Sequence, residues 1–227
     1  MTPTFDTIKT AVEKTGLTRR GGFHADPGEG ASAAPIAPDG CRTLILIGDI
    51  GGDFWPRFRA ERRDEPDPLD AWTRRVLGPV ASDLGAKVFY PFDGPPHWPF
   101  QQWATRAEGL RCAPIGPLMH PAAGPWHSYR GALGFADKID LPPVAQTAHA
   151  CDGCSEKPCL SGCPVNAFSA ASFALDACVG HLKSPEGAPC LTGGCLARRA
   201  CPVGADRAYA PDHQEFLARA FLRAFGD

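Results

Sequence analysis

Apolar residues recur at helical spacing from the start of the chain. Phe5, Ile8 and Val12 within Thr4 to Lys14 predict a short amphipathic helix. Gly21 to Gly40 is rich in Gly, Pro and Ala and reads as loop. Thr43 to Gly48 carries the run Leu44-Ile45-Leu46-Ile47, a buried strand, and a glycine turn follows at Gly48, Gly51 and Gly52. Arg57 to Asp67 is charged and reads as exposed. Asp67-Pro68 then has the form of a helix start, a capping residue ahead of a first-turn proline. Leu69, Trp72, Val76, Leu77, Val80 and Leu84 give that helix its apolar face, with a kink expected at Gly78-Pro79. Lys87 to Tyr90 is a second strand, and strand, helix, strand suggests a βαβ unit with a parallel pair. Gln101 to Ala107 is helical. His213 to Phe225, with Asp212 as cap, predicts a C-terminal helix whose face is Phe216, Leu217, Ala220, Phe221 and Ala224.

The chain has 227 residues and is 44% hydrophobic, enough to bury a real core, and its net charge of −2 argues against nucleic acid as the main partner. No apolar run reaches the length of a membrane span and Met1 to Thr10 has no apolar signal segment, so the expected location is cytoplasmic. The ten cysteines change the picture. Cys41 and Cys112 stand apart and read as small buried apolar residues, with a reactive thiol as the alternative. The other eight lie between Cys151 and Cys201. Three chemistries use such a set: disulfides in an oxidising compartment, structural zinc on four ligands, and iron–sulfur clusters on cysteine runs that end in Cys-Pro.

Here the runs read C-x2-C-x4-C-x3-C-P from Cys151 to Pro164 and C-x4-C-x5-C-P from Cys190 to Pro202, with Cys178 upstream of the second. Their tails repeat, as Cys163-Pro164-Val165-Asn166-Ala167 and Cys201-Pro202-Val203-Gly204-Ala205. This resembles the duplicated motif of two-cluster bacterial ferredoxins, in which the Cys-Pro cysteine of one motif ligates the other cluster. Carried over, that implies two [4Fe–4S] clusters. One is held by Cys151, Cys154, Cys159 and Cys201, the other by Cys163, Cys178, Cys190 and Cys195. Pro164 and Pro202 would open short helices over Val165 to Ser172 and Val203 to Tyr209. Lys157, Lys183, Arg198 and Arg199 place positive charge near the clusters, which raises their potentials.

Ahead of the cysteines come Asp93, Arg106-Ala107, Gly116, Gly124-Pro125-Trp126 and Gly131-Ala132-Leu133-Gly134. With the paired cysteine motifs, this order over residues 43–205 resembles the epoxyqueuosine reductase family, iron–sulfur and cobalamin proteins related to reductive dehalogenases and, in their cobalamin-binding half, to CblC. The second cysteine motif is more widely spaced than the family's. The resemblance implies a corrinoid-type pocket with Asp93 as proton donor. Trp98, Trp126, His127, Tyr129 and Arg130 would line it, with Trp103, His97, His120 and Arg106 nearby. For each of these the competing reading is core packing, a turn cap or a solvated helix face. The expected fold is α+β: a nitroreductase-like or CblC-like α/β domain over residues 1–145, a ferredoxin-type two-cluster domain over 146–210, and a C-terminal helix over 211–227 docked on the first domain. The expected function is electron transfer through two [4Fe–4S] clusters to a corrinoid (cobalamin) or substrate. The electron donor would be a flavodoxin, ferredoxin or reductase. The alternatives are a plain ferredoxin-like carrier and a cobalamin-binding or trafficking protein.

Overall fold

The computed structural model describes residues 2–25, 38–169 and 172–226, which divide into two compact units. Unit 1 is residues 1–109 and 128–146; unit 2 is 110–127 and 147–227.

Unit 1 is built on a four-stranded sheet in the order β1-β2-β4-β3: β1 Thr18–His24, β2 Thr43–Ile50, β3 Lys87–Phe89 and β4 His127–Phe135. The pairs β1/β2 and β3/β4 are antiparallel, with Phe23 opposite Leu44 and Val88 opposite Leu133. Leu44 to Ile47 are wholly buried on alternating sides, so the sheet is covered on both faces. Helix α1 (Phe5–Glu13) starts where its pattern predicts. Thr4 caps it by accepting the Thr7 N–H at 3.1 Å, and Ile8 and Val12 are fully buried. Helices α2 (Trp55–Glu61) and α3 (Pro68–Asp83) pack together, α3 also meets β3, and α4 (Phe100–Glu108) packs on β1 and β2.

Three expectations are corrected in this unit. The strands Thr43–Ile50 and Lys87–Phe89 do not pair, because β4 lies between them. Of the expected loop from Gly21 to Gly40, residues 21–24 belong to strand β1, while 26–37 lie outside the described residues. The charged segment from Arg57 hides the helix α2, whose Trp55 and Phe58 point into the core. In addition, Asp67 precedes α3 with a left-handed backbone, φ 43°, and makes no side-chain cap bond.

Unit 2 is helical and carries the eight clustered cysteines on short elements: α5 (Pro158–Ser161), α6 (Leu175–Lys183), α7 (Ala188–Gly193), α8 (Leu196–Arg199) and α9 (Pro211–Phe225). Its only β pairing among the described residues, apart from the start of β4, is three isolated bridges. The described residues of 165–172 form no helix, and 203–209 holds only a single 3-10 turn, Ala205–Arg207. The reason sits three residues after each Cys-Pro cysteine, where Asn166 (φ 49°) and Gly204 (φ 69°) both adopt the left-handed conformation that ends a right-handed turn. The C-terminal helix begins at Pro211, one residue before Asp212, which lies in its first turn. It buries His213 and Gln214 and packs on α7 and α6 of its own unit.

Candidate functional site

Each short element of unit 2 delivers one or two thiols. Cys151 and Cys154 are joined by a turn in which the Cys154 N–H donates to the Cys151 carbonyl. Lys157, left-handed at φ 41°, turns the chain into α5, which carries Cys159 and is followed by Cys163. Cys178 is on α6, Cys190 on α7, and Cys195 begins α8, which Cys201 follows. α5 packs on α8, and Gly162 allows the close approach, since a Cβ there would come within 2.9 Å of the Ala200 methyl.

The eight thiols fall into two quartets. Cys151, Cys154, Cys159 and Cys201 line one cavity with Ile115, Met119 and Pro125. Cys163, Cys178, Cys190 and Cys195 line a second cavity of about 240 Å³ whose far wall is Phe168, Phe173, Leu217 and Phe221. Each quartet contains the Cys-Pro cysteine of the other motif.

The electrostatics follow from this grouping. Burial raises the Cys178 thiol to about 11, with Cys195, Cys163 and Cys190 adding to the rise. Burial also raises Cys151 and Cys159, helped by Cys201, Cys159 and Cys154 around the first and by Cys201 and Cys154 around the second. Four crowded thiols cannot all ionise without a cationic centre among them. A site of that kind binds a metal core with release of protons. Among the described residues, no three His, Cys, Asp or Glu side chains converge on the position of a single ion. The quartets surround cavities instead. Their donor chemistry fits a four-thiolate [4Fe–4S] cluster in each. Backbone support is present: the Ala167 N–H donates to the Cys163 sulfur at 3.3 Å.

The residues named for a corrinoid are divided between the units. In unit 1, Asp93 is half-buried and engaged, pairing with Arg74 at 2.5 Å and accepting the Tyr90 N–H. The Nδ1 of exposed His97 meets the Asp93 carbonyl. Trp98 stacks on the fully buried Trp103 with centroids 5.8 Å apart and meets Phe89 edge-on, so this aromatic cluster is core. Arg106 donates to the His24 carbonyl. Arg130 is held by Asp70 at 2.5 Å and by Thr73. Tyr129 accepts from Arg20 at 3.2 Å. In unit 2, Trp126 is 1% exposed and sits edge-on to Tyr209. His127 is buried with Nε2 on the Leu118 carbonyl, and His120 Nδ1 accepts the Ala122 and Ala123 N–H groups. Cys41 is buried, as expected, and Cys112 is exposed.

Sequence reasoning missed a buried polar network in unit 1. Arg20, 5% exposed, donates to Glu108 at 2.7 Å, to Tyr129 and to the Asp49 carbonyl. Asp49, in the glycine turn after β2, accepts the Gly52 N–H at 2.8 Å and the Ser128 hydroxyl. A Cβ at Gly48 would overlap the Ser128 carbonyl, so the turn serves close strand approach. Burial raises the Asp49 carboxyl against the hydrogen bonds and the nearby Arg20 and Arg130. A carboxyl with a raised folded pKa binds its proton more tightly in the native state. Stability from this group therefore falls as pH rises from the unfolded value, about 3.9, through the raised folded one. Asp49→Asn is expected to flatten that decline in urea midpoints measured across the range. An unchanged slope would show that Asp49 does not titrate with folding.

No family model matches the chain, and no curated protein resembles it in sequence. Solved structures do. An epoxyqueuosine reductase crystallised with an epoxyqueuosine-modified tRNA-Tyr stem loop superposes with a TM-score of 0.55 at 12% identity, over 97% of this chain and 75% of that one. Epoxyqueuosine reductase from Streptococcus thermophilus gives 0.54 at 14% identity, over 96% and 74%. The C. elegans B12-trafficking protein CblC gives 0.51 at 14% identity, over 97% and 96%. At these identities the likeness establishes the fold: this chain is folded as epoxyqueuosine reductases and CblC are.

Proposed function

We propose that the protein is an iron–sulfur redox protein. It carries two [4Fe–4S] clusters, one on Cys151, Cys154, Cys159 and Cys201, the other on Cys163, Cys178, Cys190 and Cys195. The observation that carries this is the crossed grouping of the eight thiols around two cavities. A lone zinc ion needs four sulfurs about 2.3 Å from one point, whereas the Cys178 quartet lines a cavity of about 240 Å³. When bound, such clusters exchange single electrons. The chain's own part is to supply thiolates, exclude water with walls such as Ile115, Met119, Phe168 and Leu217, and direct backbone N–H groups at the ligand sulfurs.

The electrons come from a flavodoxin, ferredoxin or reductase and pass to an acceptor held by unit 1. The shared fold supports a corrinoid as that acceptor. A second reading is a cobalamin-trafficking protein whose clusters set the cobalt oxidation state, supported by the fold shared with the C. elegans B12-trafficking protein CblC. Among the described residues no helix is long and apolar enough to cross a membrane.

The deciding experiment is anaerobic purification with iron, sulfide and cobalt analysis, followed by cobalamin titration under visible spectroscopy. About eight irons per chain with a cobalamin shift supports the corrinoid redox protein. The same iron with no shift leaves a plain electron carrier. A shift without iron removes the clusters, and with them both readings, and leaves cobalamin binding alone.

A further inference from the structure

We propose that the two clusters are unequal, with the Cys178 quartet holding the higher-potential one, so that electrons run from the Cys151 quartet to the Cys178 quartet. This rests on the two-cluster reading above. The argument is the difference between the two cavity walls.

Around the Cys178 quartet, two residues of the wall carry buried nitrogens that have no hydrogen-bond partner among the described residues: the Nε–H of Arg198, and Nε2 of His181, which donates in the tautomer protonated there. His181 lies one helical turn beyond Cys178 on α6, and Arg198 is on α8 between Cys195 and Cys201. Arg198 is fixed in place. Its Nη2 donates to the Pro125 carbonyl, and its guanidinium lies 4.5 Å from the Trp126 ring and 4.8 Å from the Tyr209 ring. Its guanidinium is a cation with planar N–H donors. Burying donors of this kind without an acceptor is unfavourable, and sulfides or thiolates in the cavity are acceptors of the required sort.

Around the Cys151 quartet the wall is apolar, with Ala113, Ile115, Met119 and Val203 among its members. Its one polar side chain is Lys157, which is partly exposed and therefore screened by water. Lys183 and Arg199, also expected near the clusters, donate instead to the carbonyls of Gly226 and Gly193. Backbone N–H groups serve both sides, those of Cys159 and Leu160 at the Cys159 sulfur and that of Ala167 at Cys163. The side chains make the difference. Hydrogen bonds to sulfur and nearby positive charge favour the more negative, reduced cluster and raise its potential. In the transfer, one electron leaves the cluster on Cys151, which is oxidised, and enters the cluster on Cys178, which is reduced. No bond and no proton moves. The electron is supplied by a low-potential one-electron donor protein.

The test is a redox titration of the holoprotein with dithionite, followed by electron paramagnetic resonance. Two separate one-electron waves are expected. Cys159→Ala should leave only the higher wave and Cys178→Ala only the lower. His181→Phe and Arg198→Met, on different helices so that one remains readable if the other loses iron, should each lower the higher wave alone. The expected change is about tenfold in the distribution of the electron, which is about 59 mV for a one-electron couple. His181→Gln, which keeps an N–H, should recover much of it. Coincident waves, the reverse assignment, or equal movement of both waves would overturn the proposal. A wild-type chain without about eight irons would instead sink the two-cluster reading, so the two failures are distinguishable.

Discussion

Replacing Cys201 by alanine is expected to empty the same cluster as replacing Cys159, although Cys201 closes the other motif. The quartets require it: Cys201 shares its cavity with Cys151, Cys154 and Cys159, and adds to the raised pKa of both Cys151 and Cys159. Iron should fall from about eight to about four per chain in either single variant. Cys163→Ala should also lose about four, from the other cluster, because Cys163 lies with Cys178, Cys190 and Cys195. Single losses do not separate crossed from uncrossed ligation; pairs do. Cys159→Ala with Cys201→Ala damages one cluster and should keep about four irons. Cys159→Ala with Cys163→Ala damages both and should keep none. Ligation within each motif predicts the opposite result for the two pairs. Iron and sulfide analysis of the purified variants decides between them, and retention of iron by the Cys159/Cys163 pair would end the crossed assignment.

The cysteine framework was legible because thiol chemistry constrains spacing tightly. Residues at C-x2-C and before Cys-Pro are set by the geometry of a cluster loop, and that survives any change in the surrounding fold. The grouping found in the structure is the one that the ferredoxin comparison implied. The frame around it was not legible. The left-handed residues Asn166 and Gly204 end the turns that Pro164 and Pro202 begin, and no periodicity signals that. Helix α6 carries Cys178 on a stretch that the motif treated as spacing. In unit 1 the sequence Thr18–His24, with two arginines and two glycines, lacks the alternation of a strand. Its register shifts between Arg19 and Gly22, and Arg20 is buried by an ion pair rather than by apolar character. Trp98, Tyr129 and Arg130 are aromatic and cationic, as a ligand site would be, but a core or a buried polar network uses the same residue types.

Glu108→Ala is expected to destabilise unit 1 by about 3–5 kcal/mol. The Arg20 side chain is 2% exposed and Glu108 is 14% exposed, so the pair is shielded from water and weakly screened. One Glu108 oxygen accepts from Arg20 at 2.7 Å and the other from the Gly21 N–H at 2.9 Å. The side chain thereby ties α4 to β1 at the point where the strand register shifts. Removing it takes the Glu108 carboxylate from a buried guanidinium that keeps the Tyr129 hydroxyl and the Asp49 carbonyl among its partners. Glu108→Gln keeps an oxygen and an amide of the same reach and should lose less, because the guanidinium retains an acceptor. Four of the five tryptophans, Trp55, Trp72, Trp98 and Trp103, are in unit 1, so fluorescence in urea reports on this unit. The ordering wild type, Gln, Ala in midpoint is the expected result. A Glu108→Ala midpoint equal to wild type would show that water reaches Arg20 and that the pair is not buried in solution. Iron content should be unchanged in both variants, because the cysteines and every residue lining their two cavities belong to unit 2.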